Sequence, residues 1–284
     1  MATMTNATEP EPAFPVPTSL SPSRVEAFTS CPLAFRFSSI ERLPEPPSPH
    51  TTKGSLVHRA LELLFTRPAP ERTPAAAHQA LEAAWAEYLS DPELLLLGLD
   101  AHELDEFLDD ARSLVDAYLA MEDPTAVRDI GLELRLEAEI DGLTLRGIID
   151  RLELDRAGEL VVTDYKTGRA PNRSFEQQRL IGVNTYSLLV HRVLGRMPAR
   201  VRLMYLRSGE VIESTPSQQS VQYASVRTTA VWKAVEQACT TGEFRPRPGP
   251  LCSGCSFQRW CPAFDGDPQR AAAEAPLALV GASA

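Results

Sequence analysis

Residues 143–154, LTLRGIIDRLEL, and 159–167, ELVVTDYKT, flank a turn that ends in Gly158, and this spacing fixes the register of a β-hairpin. Three-residue hairpin loops commonly close on a left-handed residue, usually Gly. With Arg156, Ala157 and Gly158 as the loop, Asp155 faces Glu159. The partners that follow are Leu154 with Leu160, Leu152 with Val162, and Asp150 with Asp164. Alternate side chains share a face, so one face carries Leu152, Leu154, Leu160 and Val162 and ends in two opposed carboxylates. Directly opposed β-carbons lie about 4.5–5.5 Å apart.

Like charges at that spacing repel, and a sheet gains nothing from them. A divalent cation between them reverses the sign. Lys166 shares the face of Asp164, whereas Tyr165 points the other way. Magnesium takes one or two carboxylates and completes its shell with waters and phosphate oxygens. The two carboxylates therefore predict a metal centre acting on phosphate, with Lys166 to polarise the phosphate or orient a water. The plain alternative for Asp164-x-Lys166 is an ion pair at a strand end, and the opposed Asp150 weighs against it.

Four of the five cysteines lie toward the far ends of the chain: Cys31 near the start, then Cys252, Cys255 and Cys261 in the pattern C-x2-C-x5-C. Thiols so far apart, in a chain with an odd cysteine count and no secretory signal, point to a metal or cluster joining the ends rather than to disulfides. Four thiolates suit a 4Fe–4S cluster or a tetrahedral zinc, and buried unligated thiols are the third reading. Structural zinc usually uses two close pairs, so one remote ligand and a five-residue gap favour iron–sulfur. Cys239 is surplus and reads as a small core residue.

Around these sites the pattern is mixed. Ser21-Pro22 starts a helix that Cys31-Pro32 ends. A helix from Lys53 carries His58, and residues 74–122 read as all-helical. Residues 131–140 alternate as a half-exposed strand. A helix over about 174–194, a strand over 199–208 and a helix over about 217–241 follow. Residues 1–18 read as a disordered leader and 266–284 as a disordered tail.

The net charge of −10 excludes a uniformly basic coat. An acidic stretch, Asp100 to Asp110, contrasts with Arg169, Arg173, Arg179, Arg192, Arg196, Arg200, Arg202 and Arg207, which could track a phosphate backbone. No apolar run approaches the roughly 20 residues of a membrane span, and the N-terminus lacks a signal peptide's basic and apolar regions. No membrane contact and a cytoplasmic location are expected. No helicase P-loop occurs, so any unwinding needs a partner.

GSLVHRAL (54–61), GIIDRLEL (147–154) and VVTDYKTG (161–168), in that order, resemble the GxxxH, GxxDR and DYKT motifs of RecB-family exonucleases in the PD-(D/E)XK nuclease superfamily. SLSPSRVEAFTSCPLAFRF (19–37) and CSGCSFQRWCPAF (252–264) resemble the cysteine segments of its iron–sulfur members, which include CRISPR-adaptation and AddB-type nucleases. The resemblance spans residues 19–265. It implies an α/β fold with a restriction-endonuclease-like core: a mixed sheet flanked by helices, a helical insertion at 74–122, and a cysteine cluster segment at 252–261 that joins the termini through four thiolates.

The resemblance also implies roles. His58, Asp150, Asp164 and the backbone carbonyl of Tyr165 would hold Mg2+ or Mn2+, with Lys166 as the catalytic lysine. His58 is singled out only by motif order, since a lone histidine on an amphipathic helix more often packs or faces solvent. Glu133 matches an acidic position, although Glu137 and Glu139 share its side of the strand. Tyr186 fits the Tyr of a Q-x3-Y pair whose Gln is replaced by Gly182, with Gln178 one turn earlier as an imperfect substitute. The implied function is exonucleolytic cleavage of DNA in repair or recombination, with a separate helicase as partner and a structural 4Fe–4S cluster. The alternative is a nuclease-like subunit that binds DNA or a helicase without efficient cutting.

Overall fold

The structure, a computed structural model, describes residues 12–170 and 173–282, with side chains over 12–170 and 183–276. Strands β1 (Arg128–Ile140), β2 (Leu143–Leu154), β3 (Leu160–Lys166), β4 (Arg200–Tyr205) and β5 (Glu210–Ser214) form one mixed sheet in the order β1-β2-β3-β4-β5. All neighbours are antiparallel except β3 and β4.

Local chemistry sets these turns. Asp141 and Gly142 both have positive φ, 48° and 84°, as a two-residue β1–β2 hairpin requires. Asp155 N–H donates to the Glu159 carbonyl at 2.9 Å, and Gly158 has φ 81°. The expected register holds for Leu152–Val162 and Leu154–Leu160. The ladder stops at Arg151–Thr163, one pair short of the two aspartates. There the Tyr165 N–H donates to Asp150 Oδ2 at 2.6 Å instead.

The helices are α1 (Pro22–Ser30), α2 (Pro32–Phe35), α3 (Pro49–Phe65), α4 (Pro74–Tyr88), α5 (Pro92–Leu96), α6 (Ala101–Met121), α7 (Arg173–Leu194), α8 (Gln218–Thr241) and α9 (Ala271–Ala282). Ser21 caps α1 through Arg24 N–H, and Asp100 and Glu103 form a capping box on α6. The helical middle expected over 74–122 is α4, α5 and α6. The α7 crossover makes β3 and β4 parallel, as such connections must.

Both sheet faces are covered. A first core joins α3, α4 and α6 to Tyr165, Met204 and Leu206. On the other face, a third core packs α7 and α8 against Leu145, Ile149, Leu152, Leu160 and Val162. Gly147 lets α7 approach, for a β-carbon there would lie 2.6 Å from Leu189 Cδ1.

The second core is where the two ends of the chain meet: Phe28, Phe35 and Phe37 pack with Trp232, Phe257, Trp260, Ala271 and Ala275. Helix α1 ends at Cys31, as expected, and the chain continues as α2 and a π-helical turn over Arg36–Ile40 that bury Leu33, Phe35 and Phe37. Two expectations change here. The segment read as a disordered tail is helical over α9, with Ala271 and Ala275 buried. The end of the leader is also placed, since Phe14 N–H donates to the Cys239 carbonyl at 2.9 Å and its ring meets Phe244 edge-on. Residues 1–11 lie outside the described residues. Among the described residues, no helix is long and apolar enough to cross a membrane.

Candidate metal centre

Helix α3 carries His58 to the end of β3. Gly54, one turn before, permits the approach, since a β-carbon there would lie 3.1 Å from Thr167 Oγ1. His58 Nε2 is 3.0 Å from the Tyr165 carbonyl oxygen, and Nδ1 is 3.5 Å from Asp150 Oδ1. Burial works against the imidazolium, but the hydrogen bond and charge of Asp150, with the charge of Asp164, outweigh it, so His58 titrates above its ordinary value.

Glu133 approaches from β1. Ligand atoms of His58, Glu133 and Asp150 all lie within 4.8 Å of one another, and this is the group of three or more potential ligands that the described residues present. Glu133 has φ 42°, a left-handed backbone unusual inside a strand. Burial and then the Asp150 charge raise its carboxyl above the usual range. Glu137 and Glu139, the sequence competitors, are exposed.

Asp164 is buried and lies outside that three-membered group; its Oδ2 is 2.6 Å from Lys166 Nζ. Burial pushes its carboxyl up to about 6, with Lys166 opposing and Asp150 reinforcing the shift. Lys166 titrates above its ordinary value because Asp164 outweighs the penalty of burial. Tyr186 flanks Gly147, and burial, then the charges of Asp164 and Asp150, raise its phenol. The side chains of Gln178, Arg173 and Arg179 lie outside the described residues, and Gly182 has none.

The donor set suits a divalent cation. Three carboxylates and an imidazole converge in a half-buried pocket, and the carboxyl groups of Glu133 and Asp164 are raised by burial and by the charge of Asp150. Clefts of about 700 Å³ and about 880 Å³ open on either side and share His58, Glu133, Arg135 and Lys166. Thr167, Gly168 and Arg169 line the first, and Ser21, Arg146 and Tyr186 the second.

The arginines expected to track phosphate are largely spent on carboxylates. Arg196 pairs with Glu159, Arg200 with Asp155, Arg202 with Glu122, and Arg207 with Asp110. Arg169 does line a cleft, joined by Arg59 and Arg135.

The four end cysteines line one cavity with Leu33, Phe37 and Phe257. Arg247 N–H donates to Cys31 Sγ at 3.5 Å and Gly249 N–H to Cys252 Sγ at 3.3 Å. Burial raises the Cys255 thiol, and the other three sulfurs add to the shift. No three of these sulfurs lie within 4.8 Å of one another, so the expected four-cysteine group is not closed as a compact ligand set. Cys239 is buried in the second core, as expected.

One buried group escaped the sequence reading. Arg151, 0% exposed, binds Glu122 through both terminal nitrogens at 2.7 and 2.9 Å, Glu153 at 2.5 Å and the Tyr165 hydroxyl at 2.7 Å. The only signal in the sequence was its place beside Asp150.

The chain matches the family model of the PD-(D/E)XK nuclease superfamily over residues 19–262 and belongs to that superfamily. It resembles the Gene 69 proteins of Mycobacterium phages L5 and D29, at 30% identity over 136 residues in each case. Those matches cover 47% of this chain and 44% and 48% of the phage proteins, so the chain spans about half the length of the curated relatives it matches. A solved structure of a candidate exonuclease from Eubacterium rectale shares the fold at TM-score 0.50 and 12% identity, covering 85% of this chain and 88% of that one.

Proposed function

We propose that this chain is a RecB-type exonuclease that hydrolyses DNA phosphodiesters with Mg2+ or Mn2+, serving repair or recombination. The observation that carries the reading is the convergence of His58, Glu133 and Asp150 within 4.8 Å, with Asp164 and Lys166 alongside. His58, Glu133, Asp150, Asp164 and the Tyr165 carbonyl are the proposed ligands. A divalent cation held there supplies Lewis acidity toward a phosphate oxygen and activates water. Lys166, kept cationic by Asp164, offsets the negative charge that develops at phosphorus. Tyr186 borders the cleft beside it and orients the strand. Arg135 and Arg169 line the walls along which a phosphate backbone would lie.

The four cysteines are proposed to hold a 4Fe–4S cluster with a structural role. Support comes from their common cavity, the N–H groups directed at two sulfurs, and the charge each thiolate would otherwise impose on Cys255. A separate helicase as partner and a cytoplasmic location belong to the same proposal.

The test uses protein purified without oxygen and labelled single- and double-stranded DNA and RNA, with and without Mg2+ or Mn2+. Metal-dependent DNA cleavage that vanishes in Asp164→Ala and Lys166→Ala is the expected result. Salt-sensitive DNA binding without cleavage in the wild type would replace it with a non-cutting, nuclease-like subunit. Zinc without iron or sulfide would remove the cluster.

A further inference from the structure

The side chains of Asp164 and Lys166 leave the sheet on the face opposite the Arg151 network, His58 reaches the centre from the Arg151 side, and Tyr165 touches both. The Tyr165 main chain faces the centre: its N–H donates to Asp150 Oδ2 at 2.6 Å, and its carbonyl oxygen lies 3.0 Å from His58 Nε2. The Tyr165 side chain crosses to the first core, where its hydroxyl accepts from Arg151 Nη1 at 2.7 Å. The chain neighbours strengthen the link, since Arg151 follows Asp150 directly and Tyr165 separates Asp164 from Lys166.

Arg151 is itself held rigidly. Glu122 grips it with both carboxylate oxygens, Glu153 binds its Nε, and its guanidinium stacks 4.7 Å from the Phe65 ring centre. Phe65 ends α3, the helix that carries His58. Arg202 pairs with both glutamates, at 2.9 and 3.4 Å, so two arginines balance two acids. The Tyr165 ring is also fixed edge-on against Tyr118 at 5.7 Å and His58 at 5.9 Å. A buried guanidinium with fixed partners on three sides is a stiff anchor, because its fork geometry is preorganised.

We propose that Arg151 is a positioning residue for the metal centre: acting through the Tyr165 hydroxyl from within the first core, it holds the Asp164–Lys166 backbone in register with Asp150 and His58. The proposal rests on the reading of this site as a metal centre. Groups that orient ligands from behind typically change metal affinity or activity 10- to 100-fold when removed. Neither Arg151 nor the Tyr165 hydroxyl touches substrate or metal in this account. Their effect reaches the centre through main-chain placement.

The test is Mn2+ binding by the full chain, followed by electron paramagnetic resonance and calorimetry, beside thermal melting in EDTA. Tyr165→Phe removes the hydroxyl and keeps the ring and the ion pairs. It should weaken Mn2+ binding about 10-fold, with melting in EDTA changed little and with kcat, not KM for DNA, reduced. Arg151→Lys keeps the charge, loses the fork, and should weaken Mn2+ binding at least as much. Arg202→Lys perturbs the same buried acids without touching Tyr165 and should leave Mn2+ affinity as in the wild type.

Wild-type Mn2+ affinity in Tyr165→Phe would overturn the proposal. So would a Tyr165→Phe protein that fails to fold, or an equal loss of affinity in Arg202→Lys, since either makes the network merely structural. A wild type that binds Mn2+ without cutting DNA overturns the nuclease reading alone, because the titration does not depend on cleavage. A wild type that binds no Mn2+ overturns both.

Discussion

Leu132 and Leu134 lie two positions apart on β1 yet pack on opposite faces of the sheet, Leu132 against the first core and Leu134 against the third. Residues so spaced ordinarily share a face. The residue between them, Glu133, has the left-handed φ of 42° that resets the alternation. The partner strand resets at the same level: Ile149 and Leu152, three apart, both face the third core. Leu132 pairs with Arg151 and Leu134 with Ile149, which leaves Glu133 and Asp150 at the pivot. A left-handed non-glycine residue costs about 1–3 kcal/mol and persists where surrounding structure enforces it, commonly at functional sites.

Replacing Glu133 should therefore separate stability from function. Glu133→Gly relieves the backbone and is expected to hold or raise the metal-free melting temperature, by up to about 1–2 kcal/mol of stability. It should also weaken Mn2+ binding and abolish most cleavage. Glu133→Gln should lose metal affinity without the gain in stability. A clear fall in melting temperature for Glu133→Gly, measured in EDTA, would count against strain at this residue.

The pH behaviour of the centre follows from Asp164. Its folded carboxyl titrates near 6, above the ordinary 3.8, so the native state binds that proton more tightly than the unfolded chain. The resulting contribution to metal-free stability is complete below the unfolded value and is lost as pH rises through about 6. A cation requires the ionised carboxylate, so Mn2+ affinity should climb across the same interval. Calorimetric titrations at about pH 5 and about pH 7 measure the rise, and Asp164→Asn should reduce it. Equal slopes in wild type and variant would remove Asp164 from the ligand set.

Gly147→Ala is expected to destabilise the protein by about 1–3 kcal/mol through overpacking. The new methyl would point at Leu189 Cδ1, and Leu189 is fully buried and has no solvent to swing into. Urea unfolding would show the loss as a lower midpoint with an unchanged slope. Unaltered stability would mean that α7 yields more easily than its packing implies.

The second core offers a test that touches no cysteine. A β-carbon on Gly266 would lie 2.4 Å from the Arg259 carbonyl oxygen and 2.6 Å from the Cys261 nitrogen, both main-chain atoms that cannot rotate away. Under the proposed cluster, Gly266→Ala should thus lower iron content and melting temperature together, as Cys255→Ser should. Asp164→Ala should keep both while losing cleavage. Full iron loading in Gly266→Ala, measured by iron and sulfide analysis, would show that the turn tolerates the methyl.

What the sequence disclosed was governed by short-range rules. The Gly158 turn determined the register of β2 against β3 because a three-residue loop leaves little freedom. His58, Asp150, Asp164 and Lys166 were legible as motifs, and the fold brings them together. The role of Glu133 was not separable from Glu137 and Glu139, since nothing in an alternating strand announces where its twist resets. The pairing of Arg196, Arg200, Arg202 and Arg207 with acids was also hidden, because those acids come from distant segments. Arg151 was invisible as an anchor for the same reason: its partner Glu122 is brought to it only by the packing of α6. Helix α9 was missed because its alanines gain burial only from a core assembled from segments distant in sequence, α1, α2 and α8 among them.

That second core also imposes a timetable. Phe28, Cys31 and Phe35 leave the ribosome well before Phe257, Trp260, Ala275 and the cysteines at 252, 255 and 261. At about 5–20 residues per second, Cys31 waits roughly 10 to 45 s for its companions. Through that interval the N-terminal helices expose an apolar face and a lone thiol, whereas the β1–β2–β3 hairpins can form as soon as they appear. A newly made chain therefore acquires its carboxylates in register before its ends are fastened, and any oxidation of Cys31 during the delay would trap it with a finished sheet and an open clasp.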